Sequence, residues 1–481
     1  MARKIILFGA GKNGLEALKR YGKDKIAFFC DNDVNKINTL IEDIQVISFD
    51  DMVKQYNSNE YVVMVTPDNY IFLVGMLEYS GIDEYVIYQK KKVFNFLEAQ
   101  KKDEICYSEQ NTLLDYYAEK SKRYDLIDDG LLLREDTKEI LKKHEEGVTL
   151  LHYGIGAEGN FYGNLETLLE YANYLEYDRI FAPNVSHNAL KPSKSMETMF
   201  DTAAIVSGRY FQDRIHKWRP YLPVFSVGPY IQYAVGIYDK DKVRMLKEKN
   251  GKTVTVFLPH SIENISRYYS KKDFIDDVVK KYKGQFDSIY LCVYWADLLE
   301  ECCDYAIEQG LKVVTAGFRF DKLFTKRLRT IFELSDAISG GDFGTHYMYA
   351  ITFNIPIARI NISDNTSIYD VEFGDETKKR IQLNEQYREY ENKFFSMIGT
   401  DFMCTEEQKR WLLPYAGIGI KRSKDYIHNV FSISKDIILN CGGELEKYPN
   451  AVRMTYKKYI DCGDINKMEI LINSTGNYLF Y

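Results

Sequence analysis

Residues 4 to 31 read KIILFGAGKNGLEALKRYGKDKIAFFCD, and no other stretch restricts the folding of this chain as much. KIILF is an unbroken apolar run of strand length, GAGKNG is a tight turn, LEALKRY has helical spacing, and IAFFC is a second apolar run ending at Asp31. Two apolar strands joined through a helix can lie side by side only in parallel, so the unit is βαβ with both sheet faces covered. The alternation continues: VISFDDMVKQY predicts a short strand and a helix, YVVMVTP a strand with a stop, NYIFLVGMLEYSG a helix and EYVIY a strand. A Rossmann-like domain is therefore expected over residues 1–95.

Gly9, Gly11 and Gly14 fit G-x-G-x-x-G between a strand and a helix. The first glycine permits the turn, the second lets a pyrophosphate approach the backbone, the third lets the helix pack, and Asp31 stands where a carboxylate accepts from ribose hydroxyls. These four residues are the candidate site for a nucleotide or NAD-like ligand. The same glycines also serve packing alone, and no dehydrogenase catalytic set follows them. Asp31, Asn32 and Asp33 could also be read as a D-x-D metal motif, but their place at the end of the second strand favours the Rossmann reading, and no metal site is expected.

With 481 residues the chain has room for two to four domains. Residues 96–148, rich in Lys, Glu, Asp and Leu, read as a helical connector. A strand, a glycine loop and a helix recur at TLLHYGIGAEGNFYGNLETLLEYANYL, followed by DRIFAPN, AAIVSG and LPVFSVG, which predicts a second α/β domain over 149–245. The polar segment DKDKVRMLKEKNGK reads as a separator. TVTVFLP, SIYLCVYW, LKVVTAG, AISGG and IPIARI are five strand candidates alternating with helical segments, a third doubly wound domain over 250–365. Residues 366–481 read as charged helices and a tail whose final forty residues carry weak period-2 stretches; the last helices are expected to return toward the middle domain.

Composition narrows the function classes. A net charge of -7 provides no basic field for a polyphosphate backbone, so nucleic acid is excluded as the expected partner, while a small anion held by local donors is not. The eight cysteines contain no C-x-x-C pair, which points to reduced thiols rather than a zinc site or disulfides. No signal-type apolar segment opens the sequence and no run of about 18 apolar residues occurs in it, so the expected location is cytoplasmic.

Two further loops carry chemistry. HYGIGAEGN (152–160) follows a strand candidate and opens a helix, with Glu158 among three glycines and His152 at its start; no acid follows as Asp31 does after the first loop. It reads as a ligand-facing loop bearing a carboxylate, or as a glycine turn with a solvated glutamate. In the third domain the strand candidates end at His260 and Ser261, at Thr315 and Gly317, and at SGGDFGTH with Gly344, Thr345 and His346. In a parallel sheet these ends share one edge, where ligands bind. Gly344, Thr345 and His346 at a helix start offer backbone N–H groups, a hydroxyl and an imidazole to a phosphate.

Residues 150–360 resemble bacterial GT-B-type glycosyltransferases of surface polysaccharide biosynthesis. The resemblance rests on AAIVSG…LPVFSVGPYIQYA in the first half, on HSIEN…VYW…VTAGF…ELSDAISGGDFGTHYMYAITFNIPI in the second, and most specifically on S-D-x(5)-D-x-G-T-H-x(2)-Y-A before an apolar strand with Pro. Residues 1–95 resemble Rossmann-like domains often fused to sugar-modifying enzymes. The chain departs from the pattern at Gly340 and Gly341, where Asn or Thr is common, and at Asn188, which follows His187 in place of glycine.

The resemblance implies an N-terminal Rossmann-like domain followed by a GT-B-like pair of doubly wound parallel-sheet domains. It also implies transfer of a sugar from a nucleotide-sugar donor to a glycan, or to a lipid-linked or protein acceptor. No cofactor is required for such transfer, and any membrane association is peripheral. The donor phosphate falls to His260, Ser261, Thr315, Gly317, Gly344, Thr345 and His346, and the base to His187, Glu158 or His152. Two alternatives are an epimerase or hydrolase of nucleotide sugars with a GT-B-like fold, and a non-catalytic nucleotide-sensing protein.

Overall fold

The computed structural model describes residues 3–67, 73, 76–77, 80–82, 85–88, 162–177, 181–186, 203–218, 220–259, 270–317, 321–341, 344–360, 392–399, 401–441 and 448–476. The chain divides into two compact units, the first centred on residues 1–94 and the second taking in most of the remainder.

In the first unit, β1 (Lys4–Phe8), α1 (Lys12–Tyr21), β2 (Ile26–Cys30), β3 (Leu40–Ile41), β4 (Ile44–Ile47), α2 (Phe49–Gln55), β5 (Tyr61–Val65) and β6 (Tyr85–Ile87) build a sheet in the order β3-β4-β2-β1-β5-β6. All neighbours are parallel except β3 with β4. The central strand explains its own apolar run: Ile6 and Phe8 enter one core with Val63 and Val65, while Leu7 enters the opposite one with Ala17, Leu18 and Phe29. The antiparallel edge was not expected. It arises because Glu42 and Asp43 both take positive φ, at 47° and 65°, the backbone a two-residue hairpin requires.

The second unit holds two parallel sheets. The smaller has the order β7 (Asn184–Val185), β8 (Ala204–Val206), β9 (Val224–Ser226) and is accompanied by α3 (Asn164–Tyr171) and by residues 209–213 of α4 (Arg209–Trp218). The larger contains β10 (Thr253–Phe257), β11 (Ser288–Cys292), β12 (Lys312–Val314), β13 (Ala337–Gly340) and β14 (Ile357–Arg359), with the spatial order β12-β11-β10-β13-β14. Its helices are α5 (Lys240–Asn250), α6 (Lys271–Tyr282), α7 (Cys302–Glu308), α8 (Phe324–Leu334) and α9 (Thr345–Thr352). Val254 and Val256 meet α6 and α7 on one face through Phe274, Val278, Cys303 and Ala306. The opposite face carries Ile338 and Ile357, packed with Tyr347 and Phe394.

Within the segment read as a separator, 239–252, residues 240–250 form helix α5. Asp239 caps it by accepting from Lys242 N–H at 2.7 Å, and Leu246 packs with Tyr290, Val314 and Leu334 of the larger-sheet domain. Beyond the larger sheet the described residues include the helices α10 (Glu406–Ala416), α11 (Lys424–Cys441), α12 (Tyr448–Cys462) and α13 (Ile465–Ser474). The last two occupy the region of weak period-2 signal. There the buried set Ala451, Val452, Thr455, Tyr459 recurs at helical spacing, a pattern that alternate residues of the same text obscured. These helices return to the smaller-sheet half: Tyr171 OH donates to Arg422 O at 3.0 Å, Ser434 Oγ to Phe181 O at 2.7 Å, and Gln212 Nε2 to Asn473 O at 2.9 Å.

Candidate functional site

In the larger sheet the chain runs from β10 outward through β11 and β12, then returns to the other side of β10 as β13 and β14. The reversal lies between β10 and β13, and a crevice outside the strand carboxyl ends at such a reversal is where open α/β sheets bind ligands. The last residues of four strands stand in one row there: Cys292 pairs with Phe257, Phe257 with Gly340, and Gly340 with Arg359. Paired residues of parallel strands project to one face, so the absent side chain of Gly340 leaves a gap between Phe257 and Arg359.

His346 fills that gap. Its ring stacks on Phe257 with centroids 4.7 Å apart and planes 9° from parallel, and the residue is 7% exposed. A Cβ on Gly340 would lie 2.6 Å from His346 Nε2, and one on Gly344 would lie 2.6 Å from Nδ1. Gly340 and Gly344 thus make room for an imidazole. Tyr347, the next residue, donates through its hydroxyl to Gly340 O at 2.7 Å and ties α9 to the strand end. Gly344 is the N-cap of α9 and makes no side-chain cap, and Gly344 and Thr345 are both half-buried. First-turn N–H groups without a capping side chain suit an anionic ligand.

Thr315 and Gly317 follow β12, two strands away from β10. The Thr315 hydroxyl accepts from Gly317 N–H at 3.1 Å and the residue is buried, so it holds the turn. Behind the turn, buried Arg327 bonds Asp321 at 2.7 Å and Ala316 O at 3.1 Å. The same segment receives the start of α3 from the smaller-sheet half. The Tyr162 ring packs tilted against Phe324 with centroids 4.8 Å apart, the Thr325 hydroxyl donates to Tyr162 O and meets Asn164 Oδ1 at 3.0 Å, and Lys326 pairs with Glu170. Helix α3 is thereby seated beside the β12–α8 turn of the larger sheet. His152, Glu158, His187, His260 and Ser261 lie outside the described residues.

Beside β10 and β11, the Lys271 ammonium lies 2.8 Å from Asp297, which is 1% exposed, and 2.5 Å from Glu300. Burial works against this ammonium, but the two carboxylates outweigh it and hold Lys271 above the ordinary lysine value. A hydrogen bond with Cys303, aided by the Lys271 charge, holds the Cys302 thiol below its ordinary value despite burial. Sequence reading did not single out Phe257, Arg359, Arg327, Asp321, Lys271 or Asp297. Arg359 alone carried a local signal, a cation ending the apolar strand IPIAR.

In the first unit the reversal falls between β1 and β5. Gly9, at φ +117°, lies against Thr66 and Pro67, and a Cβ on Gly14 would come within 2.1 Å of Gly9 O, whereas one on Gly11 would meet nothing within 4 Å. The three glycines therefore split into two that pack and one that faces open space. Asp31 is committed to the loop. Its carboxylate accepts from Ala10 N–H at 2.7 Å and from Asp33 N–H at 2.9 Å, and Lys36 Nζ lies 3.3 Å away. Asp33 accepts in turn from Asn35 N–H at 3.0 Å. Asp31→Ala is accordingly expected to destabilise this unit by about 2 kcal/mol, the scale of a hydrogen bond to a charged group. Hydrogen exchange on the full-length protein checks this, with faster exchange in peptides covering residues 4–31.

No protein-family model matches the chain, and no curated protein matches it. Solved structures do. UDP-GlcNAc 2-epimerase from Neisseria meningitidis bound to UDP-GlcNAc aligns over 91% of this chain and 100% of its own, at 12% identity and a TM-score of 0.27. The wall teichoic acid polymerase TagF aligns over 90% and 88%, at 11% identity and a TM-score of 0.27. HepE of Anabaena in complex with UDP aligns over 90% and 98%, at 10% identity and a TM-score of 0.24. The fold class is α/β with parallel sheets. It rests on the strand orders above, and the alignments add nothing about chemistry. No helix among the described residues is long and apolar enough to cross a membrane.

Proposed function

We propose that the chain transfers a sugar from a nucleotide-sugar donor to a glycan or related acceptor, with the donor phosphate held at the carboxyl edge between β10 and β13. One observation carries this reading: the helix start Gly344–Thr345, without a side-chain cap, stands at the reversal of a sheet with the order β12-β11-β10-β13-β14. In sugar transfer the leaving phosphate gains charge as the glycosidic bond breaks. The reading assigns its stabilisation to the N–H groups at the start of α9 and to the Thr345 hydroxyl. The attacking hydroxyl must lose a proton, and the reading assigns that task to His187, Glu158 or His152. The last two lie in the chain just before Tyr162, whose contacts with Phe324 and Thr325 seat α3 beside the larger sheet. Residues 1–94 form a separate ligand-binding domain in this reading.

The test is a panel of nucleotide sugars incubated with the full-length protein, with and without glycan acceptors. Nucleotide release that depends on acceptor is the expected result. An epimerised sugar without acceptor would assign the same site to epimerisation, and binding without turnover would assign it to sensing.

A further inference from the structure

We propose that Arg359 is a ligand-binding residue, its guanidinium contacting the phosphate oxygens of the nucleotide held at the start of α9; this rests on the function proposed above. Arg359 ends β14 in register with Gly340, on the strand next to the one whose gap His346 fills. Neighbouring strands lie about 4.8 Å apart, so the cation starts within one strand spacing of the imidazole and of the glycine loop. In the row Cys292, Phe257, Gly340 and Arg359 it is the one charged residue.

Its side chain is held in place. The guanidinium carbon lies 3.6 Å from the ring centroid of Phe395, which packs edge-on against Tyr347 at 6.3 Å, and Tyr347 bonds Gly340 O. The backbone is fixed too: Arg359 N–H donates to Gly399 O at 3.3 Å, and Arg359 O accepts from Lys281 Nζ at 2.7 Å. Yet among the described residues Arg359 has no carboxylate partner, and its buried Nε meets no acceptor. A half-buried cation held in one orientation at the strand end, with no anion of its own among the described residues, is arranged for an anion that arrives with the ligand. A planar fork on an aromatic face suits phosphate oxygens better than a flexible ammonium does.

Calorimetric titration of the full-length protein with nucleosides, nucleoside monophosphates and nucleoside diphosphates tests this, using the uridine and cytidine series. Arg359→Gln should weaken diphosphate binding roughly 10- to 100-fold and leave the bare nucleoside unchanged, and Arg359→Lys should fall between. Thermal unfolding of both variants accompanies the titrations, so that the better-folded one carries the comparison. Unchanged diphosphate binding, or equal weakening of nucleoside and diphosphate, overturns the assignment of Arg359 while leaving the proposed function standing. A wild-type protein that binds none of these nucleotides overturns both.

Discussion

His346→Ala is expected to lower nucleotide release and thermal stability together. The imidazole is 7% exposed, stacks on Phe257 and fills the space over Gly340, so truncation leaves a cavity in packed surroundings. Loss of a buried ring of this kind costs about 3 kcal/mol or more, which lowers the melting temperature by several degrees. Per folded molecule, turnover should still fall by roughly 10²-fold, because α9 loses the packing that sets its first turn against the strand ends and the phosphate loses that support. Thr345→Val separates the two effects. Thr345 is half-buried, so its replacement should spare stability and lower turnover less, removing one hydroxyl while the backbone donors remain. Both variants need melting curves and turnover from the same preparations. A normal turnover per folded His346→Ala molecule would leave the imidazole with a packing role alone.

The second large effect is expected in the N-terminal unit. Gly14→Ala puts a methyl 2.1 Å from the Gly9 carbonyl, which is backbone at the centre of the sheet edge and cannot move aside cheaply. The substitution should destabilise this unit by about 4 kcal/mol or more, in the range reserved for severe overpacking. Gly11→Ala should be nearly neutral for folding, within about 0.5 kcal/mol, because its φ is −100° and its added methyl meets nothing. It should nonetheless abolish any nucleotide bound at this loop, since the methyl occupies the space a pyrophosphate would use. Limited proteolysis of the full-length variants, followed by nucleotide titration, distinguishes the cases. Early cleavage within residues 1–94 of Gly11→Ala would show that this glycine also packs.

Strand identity was legible wherever the text was locally consistent. KIILF, YVVMV, TVTVF, SIYLC and AISG each became a strand because apolar runs of that length, bounded by turn residues, have few other ways to be buried. The hairpin at Glu42 and Asp43 was not legible, since two acids at positive φ carry none of the usual glycine or asparagine signal. Helix α5 was missed for a different reason: its surface is mostly charged, and only Leu246 and Asn250 are buried. The loops were found as glycine-rich text, but the text did not separate Gly14, which packs against backbone, from Gly11, which packs against nothing.

The sequence by itself determined an α/β chain with parallel strands, two glycine loops that open the helices α1 and α9, and the positions at which strands end. It did so because hydrophobic period, turn chemistry and the need to bury parallel strands on both faces act over a few residues. Only the tertiary structure decided that His346 sits between Phe257 and Gly340, that Arg359 stands beside them, and that Asp31 serves its own loop. These are matters of register and strand order across separations of up to about a hundred residues. No local pattern encodes them, because a strand reads the same whichever neighbour it pairs with.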